Sequence, residues 1–93
     1  MNYRITIITL EKGSEILERK KLKTSSETPL TVAQIKAQCF AELQLDESIY
    51  TKGTEEVWTQ ARNSKDYAAL ADETQLIGNL HSVLEYYITV TKK

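Results

Sequence analysis

Residues 29–43, PLTVAQIKAQCFAEL, are written for helix more clearly than any other stretch of the chain, and strand patterns before and after them point to a sheet packed on one main helix. Thr31 and Gln34 have capping-box spacing, in which the hydroxyl accepts from the third backbone N–H and the amide reaches back. Leu30 and Ile35 occupy the two positions of a hydrophobic staple, and Pro29 prevents an earlier start. Val32, Ile35, Cys39 and Leu43, with Phe40 beside them, make an apolar stripe at helical spacing. A helix is predicted over about 31–45.

Ahead of it, YRITIITL (3–10) is rich in β-branched residues. Tyr3, Ile5 and Ile7 share one face, while Arg4, Thr6, Ile8 and Leu10 share the other. Apolar groups on both sides predict a central strand. Gly13 suits a tight hairpin loop. The return strand, ILERKKLKT (16–24), places Ile16, Glu18, Lys20 and Leu22 on one face and Leu17, Arg19, Lys21 and Lys23 on the other. Its charge suits a sheet edge, where lysine discourages unwanted pairing.

The second half is less clearly written. Residues 49–62 suit either a strand over 57–62 or a hairpin turning at Lys52–Gly53. Residues 64–73 suggest a short helical turn with Ser64 as N-cap. Leu76, Ile77, Leu80, Val83 and Leu84 recur at helical spacing, which predicts a helix over roughly 74–82 with Gly78 as its weak point. Leu84, Tyr86, Ile88 and Val90 alternate with Glu85, Tyr87, Thr89 and Thr91, which predicts a closing strand over 84–91.

Ninety-three residues suffice for one domain, 1–93, and the net charge of −1 gives no general reason to expect nucleic acid or an anionic membrane as partner. The charge is uneven, with +3 over residues 1–23 and −4 over the remainder. A lone cysteine, Cys39, excludes an intrachain disulfide, and no apolar run reaches the roughly 20 residues of a membrane span. With no signal-peptide pattern at the start, a cytoplasmic location is expected.

The order of hairpin, capped helix, further strand, turn and final strand resembles the ubiquitin-like β-grasp. TVAQIKAQCFAEL is similar to the first helix of such domains. LADETQLIGNLHSVLEYYITV is similar to their closing segment, a Leu…Asp…Thr…Leu run entering the last strand. The resemblance implies an α+β fold, a small mixed sheet packed on one main helix with the last strand beside the first. The competing reading is another α+β sandwich with a second helix over 74–85. The chain ends Thr91-Lys92-Lys93 with no glycine in its last ten residues, so it is not expected to act as a conjugated modifier. The outward face of the last strand is polar apart from Tyr87, unlike the apolar patch of ubiquitin. Ras-association and Ras-binding domains of the same superfamily dock an acidic small GTPase along a basic second strand. Arg19, Lys20, Lys21 and Lys23 stand at the corresponding place, and Lys36 on the helix could join them.

No catalytic motif competes with this reading. Cys39 and His81 are the only conceivable dyad, but Cys39 lies on the apolar stripe and is expected to pack in the core. His81 is expected at the surface or in a turn. Two Cys/His residues are too few for a structural zinc site, and the pairs Asp46–Glu47 and Glu55–Glu56 lack calcium-loop spacing. No metal, cofactor or enzymatic activity is expected. Four clustered cations without interleaved aromatics do not make a nucleic-acid site. Trp58 is expected in the core. The function predicted is a non-catalytic interaction module that docks an acidic protein partner, such as a small GTPase, through Arg19, Lys20, Lys21, Lys23 and Lys36. The alternative is a small stand-alone regulatory or inhibitor protein, dimeric or not, that binds through Trp58 and Tyr87.

Overall fold

A computed structural model describes residues 1–11, 15–61, 67–78 and 81–93. β1 (Asn2–Glu11) and β2 (Glu15–Ser25) form the predicted antiparallel pair, and the Gly13 loop lies outside the described residues. β3 (Leu30–Thr31) leads into α1 (Val32–Leu43), followed by β4 (Tyr50–Ala61), β5 (Tyr67–Ala69), β6 (Leu76–Ile77) and β7 (His81–Lys92). The main sheet has the order β2-β1-β7-β4-β5, and β3 and β6 form a small second sheet. β7 runs parallel to β1 and antiparallel to β4. This mixed sheet with one helix on one face is the β-grasp arrangement.

The helix forms where its caps place it. Gln34 N–H donates to Thr31 Oγ1 at 3.2 Å, and Thr31 N–H donates to Gln34 Oε1 at 2.8 Å. The N–H groups of Val32 and Ala33 donate to the carbonyls of Gln75 and Glu73, so the first three helical donors are all satisfied, two of them by a distant turn. The helix ends slightly before the predicted 45, at Gln44, whose left-handed φ of 53° stops it. Val32, Ile35, Cys39 and Leu43 pack on Ile5 and Ile7 of β1, Val57 of β4, and Leu84, Tyr86, Ile88 and Val90 of β7.

Three expectations are corrected. The helix over 74–82, and with it the competing second helix over 74–85, gives way to strands: Leu76–Ile77 pairs with β3, and β7 begins at His81. Leu76 is 58% exposed while Ile77 and Leu84 are buried, so the residues of the apparent helical stripe do not share one face. The 84–91 alternation prevails because it buries four side chains while its backbone pairs on both sides. The helical turn over 64–73 fails at Tyr67–Ala69, which is strand; Ser64 lies outside the described residues. The hairpin at Lys52–Gly53 is instead a bulge inside one continuous β4. Lys52 pairs with Val90 and Glu55 with Ile88, so Gly53 and Thr54 together oppose Thr89.

Tyr3 ties the two sheets together. Its hydroxyl donates to the Ile77 carbonyl at 2.7 Å and accepts from Leu30 N–H at 3.0 Å.

Two aspartates organise the turns outside the core. Asp46 Oδ1 accepts from Ser48 N–H, and Asp72 Oδ1 accepts from Thr74 N–H at 2.9 Å and from the Thr74 hydroxyl at 2.7 Å. The serine hydroxyl and then its N–H hold Asp46 below the ordinary carboxylate pKa, and Thr74 does the same for Asp72. A depressed folded pKa means that the turns gain support above the ordinary carboxylate range and lose it as pH falls below that range. Carboxyl NMR titration is expected to give both groups midpoints below those of Asp46 and Asp72 in the unfolded chain. Ser48→Ala and Thr74→Ala should each return one midpoint toward the ordinary value. Unchanged midpoints in those variants would refute the assignment.

Candidate functional site

The sheet has one face covered by α1 and one open face. Alternation assigns the side chains, and register aligns them into rows. On the open face one row runs Arg19, Ile8, Tyr87, Glu56 across β2, β1, β7 and β4. The next runs Lys21, Thr6, Glu85, Trp58, Ala69 and reaches β5.

The five predicted site residues do not form one cluster. Arg19, Lys21 and Lys23 are exposed and make no ion pair with any described residue. Lys20 pairs with Ile7 in register and therefore points to the helix side. There its Nζ donates to the Glu42 carbonyl at 2.9 Å, which places a cation at the helix C-terminus. Lys36 binds the Glu73 carboxylate at 3.1 Å, beside the turn that caps the helix.

β2 is an edge strand, paired only with β1 among the described residues. Leu17 forms a bulge there, since Thr9 pairs with Glu18 and Leu10 with Ile16. Ile16 and Leu17 are exposed apolar residues at that end of the edge.

At the other side of the open face, Glu56, Trp58, Glu85 and Tyr87 line a shallow depression. Trp58 Nε1 donates to Glu56 Oε2 at 3.1 Å, and the Tyr87 hydroxyl donates to Glu85. Each aromatic thus fixes the orientation of a neighbouring carboxylate. Trp58 is half-buried on the open face, not in the core, which corrects the sequence expectation. Val57 takes the core position instead. The alternation Val57, Trp58, Thr59 carried this signal, because only one of Val57 and Trp58 can face the helix.

Cys39 is fully buried, and its thiol is pushed up to about 12 by burial and then by the Glu55 and Glu42 charges, so it carries no reactive thiolate. The His81 side chain lies outside the described residues. Tyr86 is fully buried, and its hydroxyl makes no hydrogen bond of normal geometry. Burial, and then the nearby Glu55 carboxylate, holds its pKa above the ordinary tyrosine value. Glu55 is ion-paired with Lys52, whose ammonium sits 4.5 Å from the centre of the Phe40 ring. Glu55 and Glu56 therefore serve opposite faces of β4. No group of three or more potential metal ligands occurs among the described residues, and no described helix is long and apolar enough to cross a membrane.

No family model matches this chain, and no curated protein is similar to it at a significant level. Among solved structures, the chain is similar to a mutant SOSEKI polymerising domain, with a TM-score of 0.48 and 13% identity over 100% of this chain and 98% of that one.

Proposed function

We propose that this protein is a non-catalytic interaction module that docks an acidic protein partner along β2. The observation that supports this reading is the edge itself: eleven residues of strand, paired on one side only, with Arg19, Lys21 and Lys23 exposed along one face. An incoming strand would gain main-chain hydrogen bonds from the edge, and the cations would steer and select an acidic one. In this reading Lys20 and Lys36 support the docking strand rather than meet the partner. Both are engaged with the helix and its capping turn, so they stiffen the platform on which the edge is presented.

The test is a titration of the isotope-labelled protein with a poly-glutamate peptide, read from backbone amide shifts. The shifts should concentrate on residues 15–25 and shrink as salt rises, since exposed charge interactions are screened over about 10 Å at 0.1 M. Arg19→Glu with Lys21→Glu should abolish them, while Lys36→Gln should leave them in place. Shifts that persist in the double reversal, or that centre elsewhere in the wild type, would refute the docking site.

A further inference from the structure

We infer that the acidic partner is a second copy of this chain, paired open face to open face about a two-fold axis parallel to the strands. It rests on the docking proposal above for the role of the β2 cations, and puts face stacking in place of strand addition at the edge.

The open face is divided by charge. Arg19, Lys21 and Lys23 occupy the β2 side, whereas Glu56 and Glu85 stand on the β4 and β7 side. Within one copy these groups are held apart, because β2 lies two strand spacings from β7 and three from β4, about 10 and 14 Å. The face is therefore complementary to itself, the condition for an isologous contact.

Of two-fold axes along or across the strands, only one sets Arg19 against a carboxylate. A two-fold axis across the strands would lay β2 on β2 and oppose like charges. A two-fold axis along the strands, passing between β1 and β7, lays β2 of each copy over β4 of the other and β1 over β7. Such an axis permits no sliding along the strands, so each cross-strand row meets its own counterpart.

Specific contacts follow from the register. Arg19 faces Glu56 of the second copy, and Ile8 faces Tyr87. Lys21 faces Trp58, whose ring can accept an ammonium over its face. Every contact occurs twice. Ile8 and Tyr87 lie near the axis, as do Thr6 and the Glu85 it faces, and the Arg19–Glu56 pairs lie at the margins. Sheets stack face to face at about 10 Å, which suits these side chains. The molecule measures 39 × 27 × 22 Å, so its broad face is of the order of the ~800 Å² per partner that a standard interface buries.

The experiment is analytical ultracentrifugation of three proteins. Wild type should show a concentration-dependent monomer–dimer equilibrium that weakens with salt. The variant Arg19→Glu/Lys21→Glu and the variant Glu56→Lys/Glu85→Lys should each self-associate at least about tenfold more weakly, because like charges then oppose one another at both copies of the Arg19–Glu56 contact. An equal mixture of the two should form a one-to-one heterodimer, since each reversed strand then meets a reversed patch. A wild type that stays monomeric under low salt at high concentration would overturn the inference, as would a mixture that does not pair. Growth beyond the dimer would also overturn it, because it requires a non-closing contact. Poly-glutamate titration of the Glu56→Lys/Glu85→Lys variant separates this failure from that of the docking proposal. If β2 amides still shift while no dimer forms in any sample, only self-pairing is lost. If they do not shift either, both readings are lost.

Discussion

Tyr3→Phe is expected to destabilise the protein by about 2–4 kcal/mol, whereas the same substitution at Tyr86 should leave stability unchanged or raise it by up to about 1 kcal/mol. Both rings are buried, at 4% and 0% exposure, so the apolar contribution is nearly the same before and after each change. The hydroxyls decide the difference. Tyr3 Oη serves two backbone groups at once, the Leu30 N–H and the Ile77 carbonyl. Removing it leaves a buried donor and a buried acceptor without that partner, and each such loss costs about 1–3 kcal/mol. It also releases β3 and β6 from β1, and with them the turn that caps the first two N–H groups of α1. Tyr86 Oη is buried without a bond of normal geometry, so Phe removes a desolvated polar atom whose remaining interaction is with the Glu55 carboxylate. Thermal denaturation should show Tyr3→Phe lower by on the order of 10 °C or more and Tyr86→Phe level or higher. If the two shifts are equal in sign and size, the assigned roles of the hydroxyls are wrong.

Gly53→Ala is expected to cost about 1–3 kcal/mol, although it adds a single methyl group to an exposed strand position. The added carbon would lie 2.5 Å from Thr89 Oγ1 and 2.9 Å from the Thr89 carbonyl oxygen. The hydroxyl cannot simply rotate away, because it accepts from Thr54 N–H at 2.7 Å and closes the bulge. The carbonyl belongs to β7, a strand paired on both sides. Gly78→Ala is the control: nothing lies within 4 Å of the added carbon, and the stiffer unfolded chain should yield a gain of about 0.4–1 kcal/mol. Chemical denaturation of the two variants checks the contrast. A neutral Gly53→Ala would mean that the bulge relaxes freely.

Local chemistry was legible where it acts over a few residues. The Thr31–Gln34 box, the α1 stripe and the hairpin pattern up to residue 24 depend on neighbours within one or two turns, so the sequence states them directly. The Leu84–Val90 alternation was equally clear and proved stronger than the helical spacing upstream of it. The basic edge was visible in the sequence too, but its division was not. Lys20 and Lys21 are adjacent in sequence, yet they point to opposite faces and do different work.

What escaped the sequence depends on register and on distant partners. Nothing near residues 76–77 says that they pair with Leu30 and Thr31, because that ladder closes over more than forty residues. Trp58 looked like a core residue by type, and its placement was decided by the parity of β4 against β7. The acidic–aromatic patch exists only because Glu56 and Trp58 fall in register with Tyr87 and Glu85. Local propensity and periodicity suffice for one capped helix, a hairpin with a basic strand and a closing strand. Which side chains share a face was settled only by strand pairing in three dimensions, because a one-residue change in register moves every side chain to the other side of the sheet.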